Sequence, residues 1–568
     1  MYILKVKIYT LIIFYYNSES LLGRINKLLL SFILLIIFSC SEPLSSESYI
    51  RMNQLGFRPN DIKSAVIISD SPINEKKFSV RNKDNKIVFE NDLILDSALN
   101  LRFKYSARLD FSELKIPGEY FIQISNIRSK KFKIKENIFN SVRDSLSIFF
   151  KVQRCGPTKP FLHEPCHLND ATEVIGYKKS SPVDLTGGWH DAGDYTKFLF
   201  TTAYTTYMLL FSYEFEPRKF EFDLDKNSVP DILEEARVGL DFLLRCDFAE
   251  DAFITQVQDD RDHTIGWRLP ENDTLRFNRP AFVKMNKSQV GIYAAVMALA
   301  NRIWKNRFYD NEFAEKCLKS GIKIFEMRDK ITYHKDDEKY YTDSNYIGKL
   351  ALGAVELYNS TKSQKYLKLA LEYGKKTQPD YWWSWGDFNS LAFYKLSYFD
   401  SSYRELLRAN LEQFNKNSLQ NLFNEPTPYS WGSTTTFLGV AIQAILYKKL
   451  TNSNTFDKLE INCRDYILGN NPWGMSFIYG IGFNFPKKIH SHIAYFNKGY
   501  LPGALVGGPA PQKLFEGREI KMNNNLSKFD FNNIIYFDAF DNYINNEPTI
   551  SGNATALFLY GYYSSFEK

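Results

Sequence analysis

The hydrophobic period of this chain changes once, near residue 136, and the change divides it into two kinds of structure. Before it, apolar and polar residues alternate through short segments: SAVIISD, KFSVRN, KIVFEND, ARLDFSEL, GEYFIQIS and KKFKIK. Alternation puts successive side chains on opposite faces of an extended strand, and the turn residues Lys83-Asp84-Asn85 and Pro117-Gly118 separate the runs. The pattern predicts a small all-β sandwich over 49–136. From Asn137 to the end the period is helical, in VPDILEEARVGLDFLLRCD, SQVGIYAAVMALANRIW, YIGKLALGAVELYNST, QKYLKLALEYG, TTFLGVAIQAILYKKL and ATALFLYGYY. Helices that alternate with Gly-, Pro-, Asn- and Trp-rich loops predict helical hairpins packed side by side, with chemistry on the loops. The period alone leaves open whether the hairpins close into a toroid or coil into a superhelix.

Residues 1–40 precede both parts. Leu28 to Ser39 (LLLSFILLIIFS) is apolar, follows Arg24 and Lys27, and ends at Cys40 before a polar linker over 41–48. The run is short for a membrane span, and a small residue directly before Cys40 resembles a lipobox, so export with lipidation at Cys40 is expected. An uncleaved N-terminal anchor is the alternative; both place the protein outside the cytoplasm, in the cell envelope or at its surface. Hydrophobic residues at 44% and charged residues at 24% fit a folded globular protein after this segment. A net charge of +6 over 568 residues, without a basic run, argues against a nucleic-acid partner.

Two clusters carry the chemistry. Gly187-Gly188-Trp189-His190-Asp191-Ala192-Gly193-Asp194-Tyr195 sets two carboxylates three residues apart among glycines, which permit a tight loop aiming both at one point. Such a pair can orient and deprotonate a water; a helix cap or a calcium ligand pair is the plainer reading. The second cluster is Tyr536-Phe537-Asp538, Tyr543, Asn546-Glu547 and Asn553-Ala554. A carboxyl among aromatic residues has its pKa raised, as a general acid requires.

Together the clusters resemble glycoside hydrolase family 9, the endoglucanase family with an (α/α)6 barrel. The resemblance extends to QRCG (Gln153–Gly156), CHLND (Cys166–Asp170), DHTIGW (Asp262–Trp267), ILGNNPWG (Ile467–Gly474) and GALVGGP (Gly503–Pro509). IRMNQLGF at Ile50–Phe57 is similar to the opening of the immunoglobulin-like domain that precedes many catalytic domains of this family. The resemblance implies a mainly α protein, an (α/α)6 barrel over 137–568 behind an immunoglobulin-like sandwich. It implies an inverting hydrolase of β-1,4-glucan-type polysaccharide, with Asp194 as general base, Asp191 helping to hold the water and Glu547 as general acid. Inverting carboxylates sit roughly 6.5 to 9.5 Å apart, leaving room for that water. His263, Trp267, His490 and Asp538 fall on positions expected to bind sugar, and Trp385 and Trp431 are weaker stacking candidates.

The resemblance also implies a metal, because Cys155, Cys166 and His167 lie on motifs that supply structural zinc in some members. A fourth ligand could be His190, Asp231 or another acidic residue, and a Cys155–Cys166 disulfide is the alternative. Cys246, Cys317 and Cys463 read as buried thiols. No cofactor is expected for catalysis itself, calcium has no readable motif, and the chain is expected to act as a monomer. The sequence departs from the family at His492, where His-x-Arg is usual, at Tyr479, at Gly552 and in MNKSQ (Met285–Gln289). Those departures keep an exo-acting hydrolase of β-linked gluco- or glucosamine oligosaccharides in view. A non-catalytic surface glycan-binding lipoprotein is the rival from another class.

Overall fold

The computed structural model describes residues 47–566, apart from 97–101, 172, 178–182, 274–278, 333–340, 342–344 and 522–524. Cys40 and the apolar run before it lie outside the described residues.

The alternating segments form two facing sheets. One runs β1-β3-β7-β6, from Ser48–Met52 (β1), Ser64–Ser69 (β3), Tyr105–Asp110 (β7) and Ile94–Asp96 (β6). The other runs β2-β10-β8-β4-β5, from Gly56–Phe57 (β2), Phe132–Ile134 (β10), Gly118–Ile124 (β8), Lys77–Asn82 (β4) and Ile87–Asp92 (β5), with Ile127–Arg128 (β9) folded back on β8. Pairing is antiparallel except between β2 and β10. Strand β3 is buried on both faces: Ala65 and Ile67 pack into the sandwich, whereas Val66 and Ile68 join the core of the helical part. Its Ala-Val-Ile-Ile run therefore departs from the alternation expected of these segments. A strand covered on both sides has no polar face to keep.

Among the described residues, twelve helices of eight residues or more form the second part. Six make an inner ring: Leu199–Phe215 (α2), Lys287–Ile303 (α4), Ile347–Thr361 (α6), Asn389–Leu396 (α8), Ser433–Thr451 (α10) and Ile550–Tyr563 (α14). Each packs on the next, and α14 returns to α2, which closes the ring as an (α/α)6 barrel. Inner helices are buried nearly all round, so they carry little amphipathic pattern. Asn140–Gln153 (α1), Asp231–Cys246 (α3), Asn311–Glu326 (α5), Gln364–Gly374 (α7), Tyr403–Ser418 (α9) and Asp457–Ile467 (α11) form the outer layer and bury one face each, and the short helices His492–Phe496 (α12) and Tyr543–Asn546 (α13) lie between α11 and α14 in the chain. Two departures from the family have local explanations. In MNKSQ, Asn286 and Gln289 form a reciprocal capping box at the start of α4. At Gly552 a Cβ would lie 2.8 Å from the Thr435 hydroxyl oxygen.

The loop after β1 bolts the sandwich to the barrel. The Gln54 amide donates to Gly474 O (2.8 Å), while its Oε1 accepts from the backbone N–H of Phe483 (2.9 Å) and Asn484 (2.8 Å). A Cβ on Gly469 or Gly482 would lie 2.6 Å from the Gln54 side chain, so both glycines make room for it. Beside it, buried Arg464 pairs with Asp61 of the sandwich at 2.9 Å and with Asp465 at 2.8 Å.

Candidate active site

Two elements that meet where the ring closes carry the carboxylates. The loop before α2 holds Asp191 and Asp194; the turn before α14 holds Glu547. Gly187 and Gly188 take positive φ (86° and 72°), a backbone that glycine adopts without penalty. Gly193 serves for proximity: a Cβ there would lie 2.4 Å from His490 O and 3.1 Å from Glu547 Oε1. Without one, the Gly193 N–H donates to Glu547 Oε1 at 3.1 Å.

The three carboxyls are tuned apart. Glu547 is pushed up to about 8, chiefly by burial and then by the negative charge of Asp194. Burial also raises Asp194, yet His263, whose Nε2 lies 2.8 Å from Oδ2, more than offsets it and holds the carboxyl below its ordinary value. Its Oδ1 accepts from the Thr196 N–H at 2.9 Å. His263 is in turn raised to about 9 by that same hydrogen bond. Asp191 is buried and pushed up to about 7 by desolvation, with hydroxyl donors Thr201 on one oxygen and Tyr341 on the other. The site thus holds a neutral carboxylic acid close to an ionised carboxylate, which is the division of labour that acid–base hydrolysis needs.

Around them lie the other residues singled out from the sequence. His490 donates from Nδ1 to Phe540 O (2.6 Å), and burial keeps the ring neutral, so Nε2 is an acceptor. Trp267 stacks on Tyr495 (4.8 Å between centroids, 3° between planes) and meets His490 and His492 edge-on. Trp385 packs edge-on against Tyr341, and Trp431, 45% exposed, packs near Tyr543. Asp538, expected to bind sugar, accepts from the N–H groups of Lys487 (2.7 Å) and Lys488 (3.0 Å) and from the Asn546 amide (2.7 Å). It braces the loop that carries His490. His492 is buried and accepts at Nδ1 from the Arg268 N–H (3.3 Å), and it lies against Tyr195 and Trp267 instead of extending a charged fork to sugar.

Sequence reasoning missed Tyr341 and Thr201 on Asp191, and the role of His263 on Asp194. Tyr341 lies 150 residues from Asp191 in a Tyr-rich polar stretch, and no spacing ties it there. Thr201 is legible only in hindsight, ten residues on, in the first turn of α2.

Cys155, Cys166, His167 and His190 come together with one ligand atom each, all within 4.8 Å of one another. Both cysteines are free thiols. His167 Nδ1 lies 3.6 Å from Cys155 Sγ and 3.2 Å from His190 Nε2, while His167 Nε2 faces Asp273 Oδ2 at 3.0 Å. Two thiols and two imidazoles, one oriented by a carboxylate, match the donor set of a structural zinc. Asp231 is elsewhere, paired with Lys151 at 3.0 Å and with the Leu224 N–H at 2.7 Å. Cys246, Cys317 and Cys463 are buried thiols.

Comparison with known proteins follows this geometry. Residues 139–560 match the model of glycosyl hydrolase family 9, and residues 45–129 match the cellulase N-terminal ig-like domain. Endoglucanase D of Acetivibrio thermocellus is 24% identical over 533 residues, covering 86% of this chain and 83% of its own. A xyloglucan-specific endo-beta-1,4-glucanase of Bacteroides ovatus is 25% identical over 570 residues, covering 90% and 92%. Among solved structures, a metagenome-derived glycoside hydrolase family 9 endoglucanase superposes with a TM-score of 0.78 at 24% identity, covering 91% of this chain and 99% of its own. A zinc-binding triple mutant of another family 9 endoglucanase gives 0.76 at 22%, covering 90% and 100%.

Proposed function

The chain belongs to glycosyl hydrolase family 9, and from that footing we propose that it hydrolyses the backbone of a β-1,4-glucan, endo-wise and with inversion. The observation that carries this reading is the pairing across Gly193 of a protonated Glu547 with an ionised Asp194. Glu547 protonates the glycosidic oxygen as the bond to the anomeric carbon breaks. Asp194 takes a proton from the water that attacks the opposite face, and Asp191, fixed by Thr201 and Tyr341, shapes the pocket for that water. No covalent sugar intermediate forms on this route. Trp267 offers an apolar face to a pyranose ring, and His490 an acceptor to a hydroxyl. The relatives' names speak of endoglucanase and of xyloglucan-specific action, which supports a glucan backbone and leaves its decoration to assay.

The proposal includes the setting. An exported lipoprotein acylated at Cys40, acting as a monomer on polysaccharide at the cell surface, accommodates the apolar run before Cys40. Among the described residues no helix is long and apolar enough to cross a membrane. We place the sandwich at 49–136 as a brace and the barrel at 137–568 as the catalytic domain. The Cys155–Cys166–His167–His190 cluster would hold zinc, which would supply a fixed crosslink to the base loop through His190.

The test is product analysis on carboxymethyl-cellulose, mixed-linkage glucan, xyloglucan and chito-oligosaccharides, beside Glu547→Gln. Rapid chain shortening on a glucan, lost in the variant, with the α-anomer formed first by NMR, supports the proposal. Release of terminal sugars alone would move it to an exo enzyme. Binding with no release would leave a glycan-binding protein.

A further inference from the structure

We propose that Asp273 and Arg268 are positioning residues that make the geometry of Asp194 depend on the Cys155–Cys166–His167–His190 cluster; the inference rests on the hydrolase reading above. The path is continuous. His167 presents Nδ1 to the cluster and Nε2 to Asp273 Oδ2 at 3.0 Å. Asp273 accepts the Arg268 fork, Nε on Oδ1 at 2.7 Å and Nη2 on Oδ2 at 3.2 Å. The same Nη2 pairs with Asp262, whose other oxygen takes the Tyr195 N–H at 2.9 Å. Tyr195 follows Asp194 in the chain, and its hydroxyl donates back to Arg268 O at 2.5 Å. His263, next to Asp262, holds the Asp194 carboxylate itself.

The base is therefore gripped twice, at its backbone through Asp262 and at its side chain through His263, and both grips start in the segment that Arg268 fixes. A third tie is covalent, since His190 of the cluster precedes Asp191 directly. From His167 to Asp262 the relay is nearly excluded from solvent, with Asp262 0% exposed, Asp273 and His167 1% and 2%, and Arg268 9%, while His263 at its end is 44% exposed. Buried carboxylate–guanidinium forks have few alternative geometries, so a change at His167 moves Arg268 and not only water. A carboxylate behind a ligating histidine also steadies the metal; what goes beyond that role is the continuation from Asp273 through Arg268 to Asp262.

The experiment uses the full enzyme loaded with zinc, with zinc release to a chromogenic chelator followed beside kcat and KM. Asp273→Asn should release zinc about ten-fold or more faster and lower kcat about ten-fold with KM within about two-fold, and Asp273→Glu should recover part of both. Arg268→Met should lower kcat similarly while zinc release stays within about three-fold of wild type. Stripping zinc should lower kcat in the wild type but lower it no further in Arg268→Met, because the path is already cut. An equal loss in both proteins, unchanged zinc release in Asp273→Asn, or a wild type that binds no zinc would overturn the proposal. Zinc release does not depend on glucan cleavage. A wild type inert on every glucan would sink the hydrolase reading, and the release rates would still decide whether Asp273 secures the cluster.

Discussion

Glu547 is held by the loop that carries its partner: its Oε1 accepts the Gly193 N–H at 3.1 Å, one residue before Asp194. Acid and base are therefore tied by a direct contact between their two loops, and that contact sets their spacing. Replacing Gly193 with Ala sets a methyl group 2.4 Å from His490 O. The expected outcome is a loss of kcat of about 100-fold, as for an ångström-scale misplacement, with a smaller change in KM. Unchanged kinetics of Gly193→Ala would show that the contact is not needed.

The pH profile should be a broad plateau. Glu547 must be protonated, and its raised pKa keeps it so until activity falls as pH rises through about 8. Asp194 must be ionised, and its lowered pKa keeps it so until activity falls on the acid side, below the ordinary carboxylate range. In His263→Asn, burial of Asp194 is no longer offset, so the acid limb of kcat/KM should move to higher pH, and the limb near 8 should also move somewhat higher because the His263 charge that lowers Glu547 is gone. An unmoved acid limb would remove His263 from the base.

A neutral acid kept buried costs stability at neutral pH. The native state holds a proton on Glu547 that the unfolded chain has already lost, so stability from this group falls as pH rises from the unfolded value to about 8. Glu547→Gln should therefore be inactive yet melt higher than wild type at pH 7, with the difference shrinking toward pH 4. Calorimetry at both pH values checks this.

Tyr341→Phe removes one of the two hydroxyls on Asp191 and leaves the ring against Trp385. The expected result is a kcat about ten-fold lower at nearly unchanged KM, since the lost donor orients the water pocket and touches no distant sugar.

Gln54→Ala deletes three hydrogen bonds across the seam of sandwich and barrel. Gly474 O keeps the Asn484 side-chain amide at 2.8 Å, but leaving the Phe483 and Asn484 N–H groups unpaired should cost about 2 to 4 kcal/mol, seen as a lower unfolding midpoint with kcat at 25 °C retained. Equal midpoints would mean that water replaces the amide without loss.

Much of this was legible in the sequence, for reasons that differ by residue. Strands and helices announced themselves through period, although β3 and the inner helices, covered on all sides, had lost the pattern and were recognisable only as apolar runs. Glycines and aromatics around Asp191, Asp194 and Glu547 make them visible as candidates, and the resemblance to the family is what gives each its role. His263 and Tyr341 are different: each meets a carboxylate through a fold-made contact over 69 and 150 residues, and nothing local marks it. The backbone N–H partners of Asp538 were not legible either, because a motif names a position and not the direction its oxygens face.

The closure of the inner ring by α14 against α2 has a consequence in time. Gly193 and Glu547 lie 354 residues apart, one at the start of the barrel and the other at its last turn. A chain emerging from the ribosome completes its base loop early and its acid last, so it has no hydrolytic machinery until the final helix docks. Maturation of the fold and onset of catalysis are then a single event, and a product truncated before residue 547 would lack both the acid and the helix that closes the ring.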